Sequence, residues 1–299
     1  MSTASIFDDL MARVTAGERL PSPEMAELAA APDILPLGML ADAARRKLYG
    51  TRVTYLRVTS RALDASLADT IPAAAREVRI TGTPGTLGDA VRAVESAKAV
   101  ASDRAVSAFS WDDIDRVASA AGTPVSRALD MLRGAGLDAL ADVTLDSAVA
   151  AARVVGSLAD AGFRQIRLTI DKAPAAGRMA LVECAADLQD QYGCIQAISP
   201  LPALLDAFRP TTGYADVKAV AMTRLAAPNI PMIQVDWLRY GPKLAQVALT
   251  FGADDLDSVS AVDEAPDGRR RAPLEELRRN IEAAGFSPVE RDGRFNLLP

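Results

Sequence analysis

With 299 residues, 49% of them hydrophobic and 24% charged, the chain is long enough for one large α/β barrel or two ordinary domains and has the composition of a soluble protein. A net charge of −6 argues against a nucleic-acid or anionic-membrane surface as the main business, and the absence of histidine rules out a serine–histidine triad and removes the commonest metal ligand. The two cysteines, Cys184 and Cys194, are expected as buried thiols rather than as a disulfide or a zinc site, so no metal centre is expected.

The first fifty residues read as three helices. Ser2–Ala16 carries Ile6, Leu10, Met11 and Val14 at helical spacing, and Ser22–Ala31 opens with Pro23 and an acidic first turn. Ile34–Gly50 ends in Arg45, Arg46, Lys47 and a glycine stop. The acidic start is not that of a secretion signal and no run of apolar residues is long enough to span a membrane, so a cytoplasmic protein is expected.

A strand–helix rhythm follows. Strand-like runs fall at Val53–Val58, Glu77–Thr81, Val106–Trp111, Leu137–Val143, Arg164–Ile170, Ile195–Ser199, Met232–Trp237 and Val247–Phe251. Alanine-rich amphipathic stretches separate them, among them Leu87–Ala101, Val125–Arg133, Leu145–Ala161 and Met179–Tyr192, and a helix interrupted at Pro72 is expected over Arg61–Ala75. Val262–Pro273 reads as a polar surface loop carrying Arg269–Arg271, and Pro273–Gly285 as a final helix. Alternation of this kind predicts parallel strands with crossover helices: a TIM-type (β/α)8 barrel, or a partial barrel of six units with extra elements, over residues 51–299, behind a helical extension over residues 1–50.

The second half carries a more specific signal. FRPTTGYADVKAVAMTR (Phe208–Arg224), LAAPNIPMIQVDW (Leu225–Trp237), GPKLAQVALTFGADDLD (Gly241–Asp257) and EAAGFSPVERDGRFN (Glu282–Asn296) together resemble the radical-SAM enzymes of the futalosine menaquinone pathway, aminofutalosine synthase and cyclic dehypoxanthine futalosine synthase. Weaker likeness runs back through IQAISPLP (Ile195–Pro202), SAFSWDDID (Ser107–Asp115) and EVRITGTP (Glu77–Pro84) to about Ala41. The resemblance implies a radical-SAM barrel in which the first strand leads to a C-x3-C-x2-C loop holding a [4Fe–4S] cluster, with S-adenosylmethionine on the open iron. The matching stretch here, VTSRALDASL (Val58–Leu67), holds no cysteine, and the glycine turn after the second strand is Thr81-Gly82-Thr83-Pro84 with one glycine of the family's pair. No [4Fe–4S] cluster is therefore expected, and S-adenosylmethionine stays open as a ligand.

Barrel sites gather at the C-terminal ends of strands. On that basis the candidate binding residues are Gly82, Thr83, Trp111, Asp112, Ser199, Asp236, Trp237, Asp254 and Asp255, and the candidate acid/base residues are Asp171, Lys172 and Asp236. Simpler roles compete with each: Asp254–Asp255 as a helix cap, Asp171–Lys172 as a surface pair, and Gly82, Gly85 and Gly88 as a tight turn rather than a phosphate cradle. Three readings follow from the missing cysteines: a degenerate barrel that binds a pathway ligand or a radical-SAM partner subunit, a cluster-independent enzyme acting on a futalosine-like nucleoside, or a radical-SAM enzyme with ligands from elsewhere. Self-association into a homo-oligomer is compatible with all three.

Overall fold

The computed structural model of the chain describes residues 3–66, 70–145, 147–170, 175–201, 212–263 and 273–299. Three helices come first: α1 (Thr3–Ala16), α2 (Ser22–Ala30) and α3 (Leu35–Tyr49). The barrel then alternates β1 (Arg52–Ala62), β2 (Glu77–Thr81), α4 (Leu87–Ala101), β3 (Ala105–Ser110), α5 (Trp111–Ala120), α6 (Val125–Gly134), β4 (Ala139–Thr144), α7 (Ala148–Asp160) and β5 (Ile166–Thr169). It continues through α8 (Ala175–Tyr192), β6 (Ile195–Ser199), α9 (Gly213–Ala226), β7 (Met232–Asp236), α10 (Trp237–Leu249), β8 (Asp255–Ser260), α11 (Pro273–Ala283) and β9 (Ser287–Arg291).

The strands pair in sequence order from β2 to β8, and β8 and β2 both pair with β1, so eight parallel strands close a (β/α)8 barrel. The fold expected from the alternation is the one observed. A ninth strand was not expected. Along one edge of the long β1, Arg52–Leu56 pairs with Ser287–Arg291 of β9 while Val58–Ala62 pairs with Glu77–Thr81 of β2. Thus β9 fills the N-terminal end of the seam between β1 and β2, and the chain after it turns across the bottom of the barrel. There Arg294 donates to Asp138 at 2.9 Å and to the carbonyl of Asp103 at 2.6 Å, and Gln165 donates to the carbonyl of Arg294 at 2.8 Å.

Two local expectations are corrected. Val247–Phe251 is not a strand: Val247–Leu249 belong to the end of α10, where Ala245, Ala248 and Leu249 face the core and Val247 is exposed, and Phe251 is buried in the turn that follows. The eighth strand is Asp255–Ser260, whose alternating Asp255, Leu256, Asp257 points carboxylates inward and leucine outward. The helix expected over Arg61–Ala75 does not form on the described residues. Arg61 and Ala62 extend β1, a turn follows, and Arg61 donates instead to the carbonyls of Ala65 and Ser66 at 3.1 and 2.8 Å. A proline at position 72 removes a helical donor, and the chain there closes only a turn from the Ala75 amide to the Pro72 carbonyl. Most of the Val262–Pro273 loop, with Arg269–Arg271, lies outside the described residues.

Outside the barrel, α3 packs on α9, and Leu37, Leu40, Ala41 and Ala44 join the same buried apolar cluster as the barrel strands and helices. Gly252 makes this approach feasible. It sits at φ +100°, and a Cβ there would lie 3.0 Å from the Cβ of Arg224 and 3.1 Å from that of Ala41. Gly252→Ala is therefore expected to destabilise the protein by about 1–3 kcal/mol through strain and overpacking. A urea unfolding midpoint unchanged from wild type would refute the tight packing of α3 against α9.

Candidate functional site

The barrel interior is ionic where many barrels are apolar. Strand alternation places Glu77 and Arg79 of β2, Ser107 of β3, Arg167 of β5, Gln234 of β7 and Asp255 and Asp257 of β8 on the inner face, and all but Arg79 are buried residues. At the bottom, Asp255 accepts from Arg291 at 2.6 and 2.7 Å, from Thr54 at 2.6 Å and from Gln234 at 2.6 Å. One level up, Glu77 accepts from Ser107 at 2.6 Å, from Arg79 at 2.8 Å and from both terminal nitrogens of Arg167. Above that, Arg79 reaches Asp257 at 3.1 Å and Ser258 at 3.1 Å, and Ser258 donates to Asp236 at 2.9 Å. Ser258 holds φ +61° inside β8, beside a register shift against β1, which turns its hydroxyl toward this chain of contacts.

Pairing decides the charge state of these groups. Burial alone would push Glu77 up, but Arg167 and Arg79 hold it well below the ordinary carboxylate range. Asp257 is likewise lowered, burial being outweighed by Arg79 and Arg167. The network is a fixed array of buried ions, which is costly to desolvate and expensive to break.

At the C-terminal mouth this array opens into a cavity of about 220 Å³. Its lining includes Arg79, Arg167 and Arg239, the carboxylates Asp142, Asp236 and Asp257, and the hydroxyls of Thr169, Ser199 and Tyr240. Arg239 and Tyr240 arrive on the first turn of α10, which Asp236 caps by accepting from the Arg239 amide at 2.8 Å. That turn is set off from the rest of α10 by Gly241 at φ +74°, followed by Pro242. Burial pushes the Tyr240 phenol well above its usual value, so it serves as a neutral hydrogen-bonding group.

Of the rim residues named from the sequence, Ser199 and Asp236 line this cavity. Gly82, at φ +106°, and the exposed Thr83 form the turn after β2, and Asp112 is exposed in the first turn of α5. Trp111 and Trp237 are buried in the apolar core at the starts of α5 and α10, with the Arg153 guanidinium 5.7 Å from the Trp111 ring. Asp171 and Lys172 lie outside the described residues. Asp254 and Asp255 stand at the start of β8, at the end of the barrel opposite the mouth, a consequence of the corrected strand. Asp254 pairs there with Arg224 and accepts from the Ile233 amide at 3.0 Å. Neither is the cap of a following helix.

The donor set at the end of β1 does not fit a [4Fe–4S] cluster. Residues 58–62, the first half of the stretch that the resemblance matches to the cluster loop, are strand paired to β2, and no thiolate is present there. Cys194 is buried just before β6, at the opposite end of the barrel, and Cys184 on α8 faces the carbonyl of Ala148. Burial pushes both thiols up, away from the thiolate form that binds iron. Among the described residues no cluster of three or more aspartate, glutamate or cysteine side chains is placed to hold a metal ion.

An eight-stranded parallel barrel with an ionic interior and a polar cavity at its C-terminal mouth is the class of protein that fold and site define. Solved structures agree on the fold: methylornithine synthase is similar at 13% identity with a TM-score of 0.67 over 93% of this chain and 97% of that one. The FeFe-hydrogenase maturase from Carboxydothermus hydrogenoformans is similar at 12% identity with a TM-score of 0.68 over 98% and 82%. Residues 201–299, the last third of the chain, match the family model of the CofH/MqnC C-terminal region. The chain is 36% identical over 124 residues to the 5-amino-6-(D-ribitylamino)uracil–L-tyrosine 4-hydroxyphenyl transferase of Archaeoglobus fulgidus, covering 37% of this chain and 36% of that protein. It is 32% identical over 133 residues to the aminodeoxyfutalosine synthase of Streptomyces coelicolor, covering 38% and 34%. A longer match, to a 5-amino-6-(D-ribitylamino)uracil–L-tyrosine 4-hydroxyphenyl transferase of Methanosarcina barkeri, runs at 27% identity over 235 residues, 67% of this chain and 61% of that one. These alignments span between about a third and three fifths of the relatives' length. They bear out the resemblance to the radical-SAM enzymes of the futalosine pathway that the motifs carry.

Proposed function

We propose that the chain is a degenerate relative of aminofutalosine synthase that does not carry out radical chemistry and works by holding a small-molecule ligand or a radical-SAM partner subunit. The observation that carries this reading is the upper end of β1. Its residues pair with β2 and contain no cysteine, while the strand-end polar cavity opposite is lined and ordered by a complete ion network. A scaffold under no demand to bind a cluster can lose three ligands and keep its barrel, because the network is closed by residues of β2, β5, β8 and β9 rather than by the cluster loop. We take residues 1–50 as a helical extension of that barrel and the cytoplasm as its compartment; no helix among the described residues is long and apolar enough to cross a membrane.

A second reading has one observation in its favour. Asp236, held by Ser258 and the Arg239 amide, lines the cavity beside Tyr240, and a carboxylate fixed in that way could serve cluster-independent acid/base chemistry on a bound metabolite.

The test is reconstitution. Protein purified anaerobically with iron and sulfide supplied is expected to stay colourless, iron-free and folded. A brown protein with about four irons per chain, the content of one [4Fe–4S] cluster, would overturn the proposal and show that ligands from elsewhere complete the site.

A further inference from the structure

A second cavity, of about 310 Å³, lies at the end of the barrel opposite the mouth, where β2 and β3 begin and β9 ends. Arg76 enters it just before β2, Arg104 just before β3 and Glu290 from β9, and Leu298 and Pro299 of the tail complete its wall. Two guanidiniums here are incompletely neutralised. Both oxygens of Glu290 are taken by the fork of Arg57, through Nε at 2.7 Å and Nη2 at 3.1 Å. Arg76 adds its Nε at 2.9 Å to the oxygen that Arg57 Nε already uses, so one carboxylate serves two cations. The terminal nitrogens of Arg76 have no acceptor among the described residues, and its side chain is 33% exposed, open to a ligand. Arg104 donates through Nε to the carbonyl of Ala75 at 2.8 Å, and through its terminal nitrogens to those of Ala101 and Ala73 at 3.3 and 3.4 Å. These neutral carbonyls fix its place beside Arg76, and no carboxylate among the described residues is within ion-pair distance of it. The third guanidinium of the cavity, on Arg294, is by contrast matched by Asp138 at 2.9 Å. Of the remaining acids, Asp292 is turned to its own tight turn, accepting from the amides of Arg294 and Asn296, and Asp103 is exposed at the rim.

We infer that this cavity binds a small phosphate monoester, its phosphate seated between Arg76 and Arg104 and its hydroxyls turned toward Asp103 at the rim. Charge and shape set the anion. Two guanidiniums that share less than two carboxylates match a dianion, and their planar forks offer paired N–H groups to phosphate oxygens, where a single carboxylate would leave one of them unmatched. Size sets the rest. The cavity stands at the lower end of the range of roughly 300–1,000 Å³ usual for ligand pockets, which suits a phosphate on a short carbon chain. The site lies on the far side of the barrel's ion network from the mouth, so it holds whether or not the mouth takes a ligand.

Isothermal titration of the full chain with glycerol 3-phosphate and ribose 5-phosphate, against inorganic phosphate, acetate and ribose, tests the site. Saturable binding of at least one ester is expected, tighter than that of the three comparison compounds. Arg76→Gln is expected to weaken it roughly tenfold, the loss of one charge-assisted contact. Arg104→Gln is expected to weaken it at least as much. Because Arg104 also ties down residues 73–75, Arg76→Gln, which leaves Glu290 its bidentate partner Arg57, decides the matter if the Arg104 variant does not fold. Arg153→Gln, the same change of net charge at an exposed position of α7, is expected to bind as wild type does. Absence of binding by both esters at millimolar concentration overturns the inference. So does inorganic phosphate or acetate binding at least as tightly, Arg76→Gln binding as wild type does, or Arg153→Gln losing as much as Arg76→Gln, which would mean attraction to net charge and no site.

Discussion

Arg291→Met is expected to cost the folded protein about 3–5 kcal/mol, the range for breaking a buried ion pair from one side. Arg291 is fully buried, and its guanidinium grips Asp255 through Nε and Nη2 at 2.6 and 2.7 Å. Asp255 is also fully buried, and after the substitution it would keep only Thr54 and Gln234 as donors. Two neutral hydrogen bonds do not replace the hydration that an ionised carboxylate gives up in the interior, so most of the loss is the stranded charge and not the missing contact. Phe295, which stacks 4.1 Å from the same guanidinium, loses its platform as well, and the tail across the barrel floor loosens with it. Adding Asp255→Asn to Arg291→Met removes the stranded charge and is expected to recover part of the loss, because the amide oxygen can still accept from Gln234 while its NH2 donates to the Thr54 hydroxyl, which itself reaches the Asp254 carbonyl. Urea unfolding of the single and double variants measures both numbers. A single variant within about 1 kcal/mol of wild type, the size of a surface pair, would mean that Asp255 finds water, and that β9 is an ornament on the barrel instead of its floor.

The sequence made the barrel legible as far as its strands are apolar. Seven strands of the barrel wall were read from runs such as Val53–Val58 and Ile195–Ser199 because their outward faces meet helices and carry Val, Ile and Leu. The eighth escapes such a reading for a physical reason: DLDSVS turns the charges of Asp255 and Asp257 inward, and an isolated strand with buried aspartates is improbable unless arginines on other strands already face it. The same rule concealed SPVER, the ninth strand, whose arginine is the partner of Asp255. Nearest-neighbour reasoning cannot see such pairs, since Arg291 and Asp255 lie 36 positions apart and Arg167 and Glu77 lie 90 apart. At the mouth, Ser199 and Asp236 were legible as strand ends, but Arg79 and Arg167 were not. A signal for them existed. EVRIT and IRLT each place a charged residue between apolar neighbours within a strand, which in a parallel barrel can only point into the interior. Charges at alternate positions of several strands in one chain are thus evidence of an ionic barrel, and their signs, glutamate and aspartate against arginine, show that it can be neutralised.

The stability of the protein is expected to fall as pH rises from about 4 to about 7, the reverse of the usual behaviour of a paired carboxylate. Asp254 is responsible. Burial pushes it from its ordinary 3.8 up to about 7, against the lowering influence of Arg224. Between those values the folded chain keeps a proton on Asp254 that the unfolded chain has released, so the folded state binds more protons and loses stability with each step up in pH. The change is at most about 4 kcal/mol over this window, at 1.36 kcal/mol per pH unit, and it levels off above pH 7. Glu77 and Asp257 act in the opposite sense. Their folded values are lowered, so the stability they contribute is present above the ordinary carboxylate range and is lost as pH falls through it. Together these groups place the stability maximum in mildly acid solution. Asp254→Asn fixes the neutral form, with an amide oxygen still able to accept from the Ile233 amide, and is expected to flatten the descent between pH 4 and pH 7 while leaving the acid-side loss intact. Urea midpoints of both proteins across this range decide the matter. A wild-type curve that is level or rises toward pH 7 would show that contact with Arg224 outweighs burial and keeps Asp254 ionised, in which case the Asn variant would lose stability at every pH where that pair had formed.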